Sequence, residues 1–136
     1  MSGINHKALR LALRTILLTV SGLPSARAWE ARTFEPPDPP APWLRETLIP
    51  GSERLIATNN IMELGVYQLD LYHPETDEGT ETVEALADAV KTAFKPTTNI
   101  STFGVVERAE RLGGRRDDPW YIIPVRISYR AHGVNT

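Results

Sequence analysis

The chain has 136 residues and a mass of 15.2 kDa, a length that fits one domain able to bury about two-thirds of its unfolded surface without staples. Hydrophobic residues make up 41% and charged residues 24%, which excludes a disordered chain and a wholly membrane-embedded one. A formal charge of −2 lacks the basic surplus that displaces counterions from phosphates, so nucleic-acid binding as the main activity is disfavoured. Zero cysteines remove disulfides, thiolate metal sites and cysteine nucleophiles together.

The small net charge hides a split. Residues 1–32 carry Lys7, Arg10, Arg14, Arg27 and Arg32 against Glu30, a net of +4, whereas residues 33–136 carry ten bases against sixteen acids, a net of −6. Lys7, Arg10 and Arg14 precede the apolar run Ile16 to Val20, and Ala26-Arg27-Ala28 has the form of a signal-peptidase site. A signal peptide is one reading. The other is an amphipathic helix from Ser2 or Asn5 to Val20, with Leu9, Leu13, Ile16, Leu17 and Val20 as its apolar stripe and Lys7, Arg10 and Arg14 as a basic one. The short apolar run and the arginines inside the pattern favour the helix, and Ser21-Gly22 followed by Leu23-Pro24 ends it. The run is too short to span a bilayer, so no membrane partner is expected.

From Phe34 to Pro42 lie five of the eleven prolines. Proline fixes φ and removes a donor, so residues 34–42 should run extended as a stiff arm. Trp43 to Ile49 then has the period of a strand, with Leu44 and Leu48 on one face and Trp43, Thr47 and Ile49 on the other. Gly65 to Tyr72 alternates again, with Tyr67, Leu69 and Leu71 sharing a face. The connection between them, Ser52 to Leu64, is long for a hairpin loop and predicts an extended flap carrying Arg54, Asn59 and Asn60.

Glu75 to Asp88 holds six acids and no base. The spacing lacks that of a calcium loop. It suits the N-terminus of a helix that begins after Gly79-Thr80 and continues through Val83, Leu86, Ala87, Val90 and Phe94 to Pro96, with Lys91 and Lys95 in its last turn. Phe103 to Arg111 forms a weaker strand, and Gly113-Gly114 turns the chain. Trp120 to Tyr129 is the strongest, with Tyr121, Ile123, Val125, Ile127 and Tyr129 on one face. Pro124 suggests an edge strand or a bulge there. The order α-β-β-α-β-β predicts one α+β domain over residues 1–136, an antiparallel four-stranded sheet with two helices packed on one face.

His6, His73 and His132 belong to no recognisable catalytic pair. No nucleophile elbow, zinc-protease, dinucleotide or phosphate-loop pattern occurs. The expectation is a non-enzyme without metal or cofactor.

Four segments carry a family resemblance. Trp120-Tyr121-Ile122-Ile123-Pro124-Val125-Arg126-Ile127-Ser128-Tyr129 resembles the closing strand of the tail-terminator-like proteins of long-tailed bacteriophages and phage-derived gene transfer agents. Trp29-Glu30 with Phe34 and Pro36, Trp43-Leu44-Arg45 with Leu48-Ile49-Pro50-Gly51, and Gly65-Val66-Tyr67-Gln68-Leu69-Asp70-Leu71 with Pro74 resemble other segments of that family, in the same order. Glu46 departs from the pattern, which prefers an apolar residue between Leu44 and Leu48. The resemblance implies a ring of six copies in the virion, assembled in the host cytoplasm. The ring would cap the tail tube at its head-proximal end, stop its growth and receive the head's connector. Its implied partners are copies of itself, the major tail tube protein and a head-completion or connector protein, with DNA passing through the lumen without specific binding.

On that reading Arg54, Asn59 and Asn60 of the flap and Arg111, Arg115 and Arg116 of the basic run are expected at ring or partner interfaces, and Asp77, Glu78 and Glu81 are expected to face the lumen. Other readings are a different neck ring, such as a head-closure protein, and a secreted binding module.

Overall fold

A computed structural model describes residues 3–76 and 79–134. Helix α1, His6–Leu17, starts at Asn5, whose side chain accepts from the backbone N–H of Ala8 at 3.1 Å and so satisfies a free donor of the first turn. Leu9, Leu13 and Leu17 are its buried stripe. Helix α2, Glu81–Ala93, buries Val83, Ala87 and Val90 and keeps Glu81 and Glu84 in its first turn and Lys91 in its last, the distribution that complements the helix dipole.

The strands are β1 Ala26–Ala28, β2 Trp43–Ile49, β3 Glu53–Ala57, β4 Asn60–Pro74, β5 Asn99–Ile100, β6 Gly104–Arg111, β7 Arg115–Asp117 and β8 Trp120–Val134. They form one eight-stranded sheet in the order β1-β2-β4-β8-β6-β5, with β3 also paired to β4 and β7 to β8. This overturns the expected antiparallel four-stranded sheet. The protein is mostly β, and the sheet is mixed because β1 runs parallel to β2, Ala26 opposite Trp43. A parallel pair needs a crossover of about a dozen residues, not a helix. Here residues 29–42, with the Pro-rich arm, supply it.

β4 and β8 form the spine. They pair antiparallel through their whole length, from Asn60 opposite Val134 to Pro74 opposite Trp120. Each is flanked on its outer side by two shorter strands in succession: β4 by β3 and then β2, β8 by β7 and then β6. The expected flap is therefore a hairpin, in which β3 folds back on β4 through Thr58 and Asn59 and leaves every β3 residue exposed.

Pro124 lies in β8 with strands on both sides. Its carbonyl accepts from the Leu112 N–H at 2.9 Å, so its missing donor also points that way, into the gap where β6 has ended at Arg111 and β7 has not yet begun. The proline costs no ladder hydrogen bond with β4. The irregular alternation around Glu107 is likewise a register shift between Val106 and Arg108, a bulge in β6.

Both helices bury their apolar stripes in a single cluster with Leu44, Leu48, Tyr67, Leu69, Leu71, Ile123, Val125, Ile127 and Tyr129 of the sheet. A smaller cluster contains Ala28, Trp43, Tyr72, Trp120 and Ile122, with Phe34 from the start of the arm packed against it. The Trp43 ring stacks on Tyr72 at 3.7 Å and meets Phe34 at 4.9 Å. These contacts tie the arm to the sheet.

Candidate functional site

Two carboxylates lie in the core, Glu46 and Glu63, each 1% exposed. A buried carboxylate is costly unless donors surround it. Arg14 of α1 meets Glu46 of β2 through two hydrogen bonds of 2.6 Å, and the Tyr67 hydroxyl of β4 donates at 2.6 Å. The Glu30 backbone N–H completes the set at 3.4 Å, and the Trp29 ring lies 4.6 Å from the Arg14 guanidinium carbon. Burial pushes the Glu46 carboxyl up, but the Arg14 and Tyr67 hydrogen bonds outweigh it and hold the group below the usual carboxylate value. Burial first, then the Glu46 charge, pushes the Tyr67 phenol far above its ordinary value.

Glu63 of β4 repeats the arrangement. It meets His6 Nε2 at 2.8 Å and accepts from the Tyr129 hydroxyl of β8 at 2.9 Å. Between these two anchors Arg10 donates to Glu30 at 2.6 Å, and Glu30 also accepts from the Leu48 N–H at 3.0 Å. His6, Arg10 and Arg14 are spaced one turn apart, so a single stripe of α1 meets three acids. Sequence reasoning placed Arg10 and Arg14 on a stripe with Lys7, which instead is exposed. Glu46, an acid at an inward position of an apolar alternation, stood out in the sequence; the missed signal was the four-residue spacing of His6, Arg10 and Arg14 on α1. The network can orient a helix on a sheet. It presents no nucleophile beside a free base.

The residues expected at interfaces fall at the two ends of the β4–β8 spine. Arg54, Asn59 and Asn60 sit on the exposed β3–β4 hairpin, beside Leu55, Ile56 and Leu64, all at least half exposed. At the other end the basic run meets the acidic segment. Arg111 pairs with Glu84 of α2 at 3.0 Å, and Arg116 pairs with Glu75 at 2.9 Å. Arg115 on β7 is exposed and makes no ion pair among the described residues. Glu81 is exposed in the first turn of α2. Asp77 and Glu78 lie outside the described residues. Among the described residues no group of three or more acids and histidines is arranged to hold a metal ion, and no helix is long and apolar enough to cross a membrane.

The described residues thus present a continuous sheet with an exposed β3–β4 hairpin, braced by α1 through buried charge. The family model for phage tail terminator proteins matches residues 6–129. The chain belongs to that family, whose members are structural components of phage tails. No curated protein sequence matches it. Among solved structures, 18 chains match. One, whose description states no function, is 22% identical over 95% of this chain and 96% of its own, with a TM-score of 0.69. Another, described as the virion of a native gene transfer agent particle, is 17% identical over 93% of this chain and 96% of its own, with a TM-score of 0.63. At these identities the likeness is one of fold.

Proposed function

We propose that copies of this chain, six by the family resemblance, form a ring on the finished tail tube at the head-proximal end of the virion. The ring ends tube polymerisation and offers its other face to the head-completion or connector protein. It acts without catalysis, metal or cofactor. The observation that carries the reading is the family match over residues 6–129. The exposed hairpin supports it, because an open strand edge bearing apolar side chains calls for a partner. Cyclic closure limits such pairing to a fixed number of copies.

The basic residues Arg115 and Arg116 form the rim toward acidic partners, and Asp77, Glu78 and Glu81 line the lumen, where negative charge keeps passing DNA from sticking. Replacing all three acids by Lys should slow DNA ejection, and unchanged ejection would remove the lumen assignment.

Deletion of the gene tests the whole reading. Tails in negatively stained lysates should be overlong or variable and should lack heads. Tails of normal length would assign the protein to a head-closure ring or another part of the neck.

A further inference from the structure

One end of the molecule carries an apolar projection and the other an apolar hole. Leu55 and Ile56 at the hairpin tip are 63% and 51% exposed, and a register shift between Leu55 and Ala57 takes Ile56 out of the β3–β4 ladder. At the far end of β4 lies a groove of about 250 Å³ whose walls include Pro24, Pro42, Tyr72, Val83, Leu86 and Ala89. Apolar cavities of about 150 Å³ admit a benzene ring, so a branched aliphatic side chain fits. Open apolar grooves and exposed aliphatic tips both gain by being covered.

The tip cannot reach its own groove. Asn60 and Tyr72 are separated by roughly 40 Å of extended strand at 3.3 Å per residue. Charge matches the two ends. Arg54, next to the tip, makes no ion pair among the described residues, and neither does Asp88, which stands exposed on the turn of α2 that walls the groove. A projection and a hole at opposite ends of one chain make the head-to-tail contact from which rings close.

We infer that the Leu55-Ile56 tip of one copy seats in the α2 groove of the next, with Arg54 against Asp88, so that each copy is both donor and acceptor around the ring. The inference rests on the ring reading above.

The chain has no cysteine, so introduced thiols report only the chosen contact. Tails are purified from cells in which the gene is replaced by Leu55→Cys with Ala85→Cys, or by Ile56→Cys with Thr82→Cys, and are oxidised. A disulfide forms only when the two Cα atoms come within about 7 Å. The expected result is a ladder of covalent multimers ending at the ring size, from at least one double variant, with each single variant remaining monomeric. Covalent dimers from Leu55→Cys alone would overturn the inference, since they report hairpin meeting hairpin. Tails that carry the protein in several copies but yield no ladder from either pair would also overturn it and leave the ring standing. Tails that carry none of the wild-type protein would remove the ring reading and this inference with it. As an independent arm, Arg54→Glu should lower the protein recovered on tails several-fold, and adding Asp88→Arg should restore it. Failure of the charge swap to restore recovery would refute the pairing.

Discussion

Replacing Arg14 by Met isolates the Glu46 carboxylate in the core. Side-chain exposure at this pair is 15% for Arg14 and 0% for Glu46, so water cannot replace the guanidinium, and only the Tyr67 hydroxyl and the Glu30 N–H remain. Breaking one side of a buried pair costs about 3–5 kcal/mol. With an unfolding entropy of about 2.1 cal/mol/K per residue, a chain of 136 residues loses roughly 3.5 °C of Tm per kcal/mol, so the variant should melt about 10–17 °C below the wild type. Circular dichroism during heating measures this, and urea midpoints check it at constant temperature. The triple variant Arg14→Met, Glu46→Leu, Tyr67→Phe removes the charges and the orphaned hydroxyl together and should regain most of the loss, because well-packed apolar residues often replace a buried pair at little cost. A single variant that loses less than about 1 kcal/mol would refute the reasoning, as would a triple variant no more stable than the single.

Three further outcomes follow from the same network. Because the folded-state value of Glu46 is lowered, its contribution is fully present above its unfolded value of about 4.3 and is lost as pH falls through the folded one. The stability gap between wild type and Glu46→Gln, measured by urea unfolding, should therefore narrow below about pH 4. Tyr67 and Tyr129, two of the four tyrosines, have phenols raised by burial and then by the Glu46 and Glu63 carboxylates beside them. Their contribution is present below about pH 10 and is lost as pH rises above it, and phenolate absorbance should show these two ionising only with unfolding. Gly65 stands opposite Tyr129, and a Cβ there would collide with the Tyr129 ring and hydroxyl. Gly65→Ala should cost about 1–3 kcal/mol by overpacking, read from the denaturation midpoint.

What the sequence made legible was set by length and period. Trp43 to Ile49 and the central parts of β4, β6 and β8 carry apolar alternation over many residues, and both helices carry four-residue stripes, so their presence could be read directly. The short strands could not. β1 has three residues, β5 two and β7 three, and β3 is exposed throughout. β3 and β7 bury no residue, and β1 and β5 bury one each, Ala28 and Ile100, too few to impose a period. β3 was further obscured because the thirteen-residue spacing suggested a flap, while the chain spends those residues on both arms of a hairpin. The parallel β1–β2 pair left no helical crossover to detect. At the candidate site, Glu46 was visible as an anomaly between Leu44 and Leu48, but its partner on α1 is 32 residues away, and pairing at that distance is a property of the fold.

The second anchor bears on assembly. His6 and Tyr129 hold Glu63 at the root of the hairpin, and the Ile4 N–H reaches Glu53 of β3 at 3.4 Å, so the N-terminal segment braces both strands where they leave the body. An arm that must enter a neighbour binds more tightly if its direction is set beforehand, because less freedom is lost on contact. His6→Ala removes the brace while leaving Leu9, Leu13 and Leu17 in the core. The expected outcome is faster amide hydrogen exchange in residues 53–62, unchanged exchange in β6, and weaker retention of the protein on tails. Equal protection of the hairpin in wild type and variant would mean that β4–β8 pairing alone holds it, and the part-buried His6–Glu63 contact would then serve only to seat α1 on the sheet.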